Sequence, residues 1–201
     1  MKQLHRAAMT AAIALSVVSV GDAVVRGVGN DQPPWDPSRA AAWVTAGITV
    51  LEVATFALLA AVLATSGKLI DRGSAARRWM RMVFAGELAV LAGVIVFANG
   101  HEEDPIGAVA GIAFLLMFLL GAVLGGLLLR LPELRLPAAL MVGPLALLPL
   151  AIAVDAVAPG WGHPGYAETA LYLGIALLGF PGTPARSTAP PADLSSAAAG
   201  R

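Results

Sequence analysis

The sequence predicts an all-α, polytopic integral membrane protein, a bundle of six transmembrane helices. Three observations lead there. Hydrophobic residues make up 58% of the chain and charged residues 13%, whereas soluble domains run near 45–50% and about 25%. Long apolar stretches alternate with short segments rich in Pro, Gly and charge. Lys and Arg gather in every second one of those short segments. A mean hydropathy of +0.78 agrees.

A membrane helix needs about 20 mostly apolar residues to cross roughly 30 Å of hydrocarbon. Spans are predicted near residues 7–28, 41–65, 80–99, 106–129, 137–158 and 165–180, the last of them short. Residues 1–181 then form a single six-helix transmembrane domain. The breaks are NDQPPWDPSR, SGKLIDRGSAARR, NGHEEDP, RLPELRLP and PGWGHPG. Pro, Gly and charge in such runs mark turns. Residues 182–201 are rich in Pro, Ser and Ala. They offer too little apolar surface to order themselves and are expected to be a disordered tail.

The first span follows the basic residues Lys2 and Arg6. Its start also fits a secretory signal, with small residues Ser19 and Gly21 before a cleavage point. The apolar run continues past Asp22 through Ala23, Val24 and Val25, which favours a retained helix. Asp22 and Arg26 stand four residues apart with the acid first, the better order for a helical ion pair. They are read as a self-neutralising pair in the outer half of the membrane or as part of an entrance.

The second span carries Thr45, Thr49, Glu52 and Thr55 at spacings that share one helix face. Glu52 lies about 16 Å below the outer end at 1.5 Å per residue, near mid-bilayer. An ionisable group there costs about 2.5–3.5 kcal/mol on insertion scales, so this face should turn from lipid. The third span carries Glu87, about 9 Å above its inner end. Neighbouring spans pack together, so Glu52 and Glu87 are expected to approach. Two carboxyls in a poorly solvated site would share a proton, the chemistry of a relay and equally of an inert pair.

The fourth span has no polar side chain. Gly107 with Gly111, and Gly121 with Gly125, form small-xxx-small steps that admit a close neighbour. Packing inside the bundle is favoured over dimerisation. The fifth span contains Pro144 and Pro149, which bend a membrane helix, and Asp155 near its outer end. The sixth has Glu168 near its outer start and Tyr172 one turn deeper.

Charge placement orients the bundle. Of 13 Lys and Arg, eleven (Lys2, Arg6, Lys68, Arg72, Arg77, Arg78, Arg81, Arg130, Arg135, Arg186 and Arg201) fall on one side, leaving Arg26 and Arg39. The positive-inside rule makes that side, with both termini and the tail, cytoplasmic. Trp35, Trp43 and Trp161 mark the outer interface and Trp79 the inner one. Arg far outnumbers Lys, and Ala and Gly abound, as in bacterial genomes of high GC content. A bacterial plasma membrane is the expected location.

Composition also excludes function classes. With no cysteine, thiolate metal sites and a Cys nucleophile are ruled out. A net charge of zero points to no nucleic acid. There is no HExxH, GxSxG or P-loop. His101, Glu102, Glu103, Asp104 and His163 match no metal-site spacing, so no metal and no cofactor are expected. The implied partners are the lipid bilayer and a membrane protein or second copy of the chain. The leading function is a small proton- or ion-coupled transporter using Glu52, Glu87, Thr45 and Thr49, with Asp22, Arg26, Asp155 and Glu168 towards the outside. The alternative is a non-catalytic membrane subunit or regulator whose polar residues stabilise helix packing. A membrane enzyme is the least favoured.

Overall fold

The computed structural model describes residues 2–29, 33–34, 36, 40–98 and 105–180. They form seven helices: α1 (Lys2–Gly29), α2 (Ala42–Thr65), α3 (Ala75–Ala98), α4 (Pro105–Leu128), α5 (Arg135–Val142), α6 (Pro144–Val157) and α7 (Gly165–Leu177). A single turn at Gly67–Ile70 and a 3-10 turn at Pro132–Leu134 occupy two connections. No strand occurs among the described residues. The expected disordered tail, Trp35 and the run His101 to Asp104 lie outside them.

Among the described residues, five stretches are long and apolar enough to cross a membrane: Lys2–Gly29, Ala42–Thr65, Ala75–Phe97, Pro105–Leu128 and Pro132–Val157. The chain is thus built as a multi-pass membrane protein, but the sixth span does not meet the same measure. It corresponds to α7, which has 13 residues, about 20 Å of helix against roughly 30 Å of hydrocarbon. Its apolar composition has a different cause. α7 packs against α1, α2, α5 and α6, and Leu171, Tyr172, Ile175 and Ala176 are all buried. Hydropathy counts apolar side chains without telling protein surroundings from lipid.

The predicted fifth span is two helices. Pro144 has no N–H to give the Leu140 carbonyl, and the ladder breaks at Gly143. Leu147 N–H still reaches the Gly143 carbonyl at 3.0 Å, so α6 restarts at once. The helices close a ring in the order α1, α2, α3, α4, α5, α7, with α7 returning to α1 and α6 beside α7 and α4. Phe56, Leu59, Phe84, Leu88, Met117 and Met141 fill its interior. Ile112, Leu115, Ile152 and Val157 point outward and are well exposed. Apolar surface of this kind suits acyl chains.

Glycines set two of the approaches in the ring. A Cβ on Gly121 would meet Leu171 Cδ1 at 2.5 Å, and one on Gly125 would meet the Ala138 carbonyl oxygen at 2.8 Å. These two glycines of α4 pack within the bundle. Gly111, on the same helix, faces open space.

The two ends of the bundle differ in charge chemistry. At one end, Arg81 spans the break between α2 and α3. Its Nε and Nη2 donate to the two carboxylate oxygens of Asp71, each at 2.9 Å. Its Nη1 donates to the carbonyls of Leu63 and Ala64 at 2.9 and 3.0 Å. Those carbonyls belong to the last turn of α2, where the helix leaves its acceptors unmatched. Arg72 pairs with Glu133, tying two basic connections at that same end. The opposite end holds His163, Asp22 and Arg26 together.

Candidate functional site

The polar faces of α1 and α2 turn into the ring at the His163 end. On α1, Leu15, Ser19, Asp22 and Arg26 follow one another at spacings of four, three and four, a single helix stripe. On α2, Thr45, Thr49 and Glu52 do the same. These stripes border a cavity of about 470 Å³, with Ile95 of α3, Gly107 and Ala110 of α4, and His163 and Glu168 completing the wall. A deeper part of about 350 Å³ shares Ser19, Glu52 and Glu168 with it and adds Phe56, Leu91, Gly111, Phe114 and Tyr172. The cavity thus passes from charged residues at the loops, including Asp36, to an aromatic floor.

An ordered charge network surrounds the mouth. Arg26 Nε donates to Asp22 Oδ1 at 3.1 Å, and Arg26 Nη2 lies 3.8 Å from Asp36 Oδ2. His163 Nε2 lies 2.9 Å from Asp22 Oδ2. The other imidazole nitrogen, Nδ1, accepts the backbone N–H of Gly165 at 3.1 Å. These bonds define the tautomer: Nε2 carries the proton and Nδ1 is bare. His163 thereby satisfies one of the unmatched donors at the start of α7, the helix that carries Glu168 and Tyr172.

Burial holds the His163 imidazole below its ordinary pKa of 6.5, and Arg26 pushes the same way against the attraction of Asp22. A depressed histidine leaves the folded state binding fewer protons than the unfolded chain below that ordinary value. Its contribution to stability is complete above about pH 6.5 and falls as the pH is lowered. Melting the purified protein at pH 8 and pH 5 should show a larger acid loss for the wild type than for His163→Gln. Equal losses would remove His163 as the source.

Deeper in, Ser19 Oγ donates to Glu168 Oε2 at 3.1 Å, and Tyr172 Oη donates to the same oxygen at 3.4 Å. Glu168 is therefore held by α1 and by its own helix. Glu52 lines both parts of the same cavity from α2, as Glu168 does from α7. Phe56 and Tyr172 meet edge to face with centroids 5.6 Å apart, closing the floor. Thr49 and Thr55 donate to the Thr45 and Leu51 carbonyls of their own helix at 3.1 and 2.7 Å.

The companion of Glu52 is thus Glu168, and Glu87 stands elsewhere. Glu87 lines neither part of the cavity. Arg81 meets Leu63 and Ala64, and counting back along the antiparallel pair brings Glu87 level with about Leu58. That is some 9 Å further from the mouth than Glu52. Glu87 Oε1 is buried without a hydrogen-bond partner among the described residues. Asp155 is also apart: its Oδ1 accepts the Gly160 N–H at 2.9 Å and shapes the turn after α6. The fourth-span glycines divide, with Gly107 and Gly111 on the cavity and Gly121 and Gly125 in packing contacts.

Sequence reasoning missed Ser19 and the Asp22–His163 pair. The α1 stripe offered a signal for Ser19, since it shares a face with Asp22 and Arg26. Nothing local announced His163, because its partner is 141 residues away in the chain. Among the described residues, no three His, Asp or Glu side chains stand close enough to hold a metal ion. No family model, no curated protein and no solved structure matches the chain.

Proposed function

We propose that the protein is a small proton- or ion-coupled transporter of a bacterial plasma membrane, loaded from the outer side through this cavity. One observation carries the reading: carboxylates from two different helices, Glu52 and Glu168, face one cavity inside a membrane-type bundle. Intramembrane ionisable groups that border a cavity are a hallmark of ion and proton pathways. The positive-inside rule places the Arg81 end, with Arg72, Arg77, Arg78, Arg130 and Arg135, in the cytoplasm. The first helix then starts in the cytoplasm, and the His163 end faces out. α7, too short to cross by itself, starts inside the bundle with Gly165 beside Ser19 and ends with Gly179 beside His5 near the start of α1, so the C-terminal end lies on the cytoplasmic side as well.

Glu52 and Glu168 serve as the coupling pair, with Thr45 and Thr49 lining the approach. Asp22, Arg26 and His163 form the entrance. Glu87 plays no part in loading from the outside. The test is flux in vesicles containing the purified protein and a trapped pH dye, with an imposed proton gradient. Glu52→Gln should abolish protein-dependent proton movement, while Glu87→Gln should retain most of it. Wild-type flux no greater than that of empty vesicles would overturn the proposal.

One observation favours the alternative, a non-catalytic membrane subunit or regulator. The Ser19–Glu168 bond fastens α1 to α7, so the same polar groups also stabilise packing. For a subunit, Glu168→Gln would lower the melting temperature and release co-purifying membrane proteins, with no flux to lose.

A further inference from the structure

The cavity's lining says more about its ligand than that it is charged. Four carboxylates face it, from Asp22, Asp36, Glu52 and Glu168. Among the described residues, the opposing cation and imidazole of the lining, Arg26 and His163, sit at the mouth and already engage Asp22 and Asp36. The depth therefore repels anions. It does not suit a bare metal ion either, which asks for several oxygen ligands in one cage, and no such group of three exists among the described residues. Immediately below Glu52 and Glu168 the lining turns apolar and aromatic, with Phe56, Leu91, Phe114 and Tyr172. A small hydrated cation gains nothing from that wall.

A ligand that is charged at one end and apolar at the other matches both zones. Aromatic faces attract ammonium groups as well as apolar bodies. Cavity parts of about 470 and 350 Å³ fall within the range of sites for small organic molecules. Gly111 borders the lower part, and a Cβ there would meet nothing within 4 Å, so a side chain can be placed at this point of the wall.

We infer that the cavity binds an organic ammonium ion, its cationic head between Glu52 and Glu168 and its apolar body against Phe56 and Phe114. This rests on the transporter reading for its site and names the class of cargo. The same chemistry could arrive as a dissolved amine or as an ammonium-bearing lipid headgroup.

The test is equilibrium binding of radiolabelled benzyltrimethylammonium to the purified protein in a maltoside detergent. Neopentylbenzene, uncharged and nearly isosteric, serves as competitor. The cation should bind saturably, and Glu52→Gln should weaken it by about tenfold or more, the scale of 1.4 kcal/mol. The neutral compound should compete at least about tenfold less well than the unlabelled cation. Gly111→Leu, a substitution into open space on the wall of the lower part, should block binding by filling it.

Equal competition by the neutral compound would overturn the assignment, as would unchanged binding in both Glu52→Gln and Gly111→Leu. No cation binding with Glu52-dependent flux intact would reject the organic ammonium and leave the transporter. Loss of both in the wild type would reject the two together. Displacement by phosphatidylethanolamine but not phosphatidylglycerol would identify a lipid headgroup as the source, and displacement by neither a dissolved amine. Both of those results keep the ammonium assignment.

Discussion

Replacing Arg81 with Met should destabilise the fold by roughly 3–5 kcal/mol, the cost of breaking a buried ion pair by removing one partner. Arg81 is 6% exposed, and its guanidinium makes four hydrogen bonds with no water competing for most of its surface. Removal leaves Asp71 without its counter-ion, strips the Ala64 carbonyl of its Arg81 donor and leaves the Leu63 carbonyl only the 3.4 Å bond from the Ser66 N–H. Lysine cannot repair this. Its point charge lacks the planar fork that engages both oxygens of a carboxylate, and it has too few fixed donors to reach the α2 carbonyls as well. Arg81→Lys should recover only part of the loss. Arg78, exposed on the same helix, is the control, with Arg78→Met expected within about 0.5 kcal/mol of the wild type. Unfolding followed by circular dichroism in one detergent checks all three. If Arg81→Met unfolds with the wild type, the α2–α3 connection is held by packing alone.

The second large effect is at Gly125. A methyl group there would meet the Ala138 carbonyl oxygen at 2.8 Å, Met141 Cβ at 3.0 Å and Val142 Cγ2 at 3.0 Å. Two of these belong to backbone or to the first side-chain atom of α5, so rotamer changes cannot make room. α4 and α5 must move apart, and overpacking of this kind costs about 1–3 kcal/mol. Gly125→Ala should therefore lower stability, and Gly125→Val lower it further. The adjacent glycine reverses the sign. A Cβ on Gly126 meets nothing within 4 Å, and alanine is the better helix former by about 0.8–1.0 kcal/mol. Gly126→Ala should be neutral to stabilising in the same assay. Equal effects at the two positions would show that helix propensity, and not the α4–α5 approach, governs this stretch.

These two sites differ in how far the sequence announces them. Gly121 and Gly125 stand out by spacing, and both do meet other helices. Gly107 and Gly111 have the same spacing and border a cavity instead. A small residue permits close approach without requiring it, so the motif cannot say whether a neighbour or a void lies opposite. Arg81 reads from sequence as one more basic residue on the cytoplasmic side. Its burial depends on Asp71 and the end of α2 folding back over it.

The carboxylates divide in the same way. Glu52, flanked by threonines on one face, was legible as a residue turned from lipid, and it borders the cavity. Glu87 was expected beside it because α2 and α3 are consecutive and do pack together. Packing between neighbours brings helices together but leaves open which residues face each other. The antiparallel register puts Glu87 some 9 Å away along the axis, while ring closure of α7 onto α1 brings Glu168 from the far end of the chain.

Composition and periodicity by themselves established an all-helical chain suited to lipid, the approximate extents of its long helices, and the stripe on which Glu52 lies. Those properties depend on each residue's own transfer free energy and on the 3.6-residue repeat, both local quantities. The tertiary structure alone decided that α7 is a short helix buried by protein, that Glu168 and not Glu87 accompanies Glu52, and that His163 bonds to Asp22 and to the start of α7. Each of these depends on helix rotation, register and ring closure. Such choices are settled by the summed packing of many side chains distant in sequence, which no window along the chain can sample.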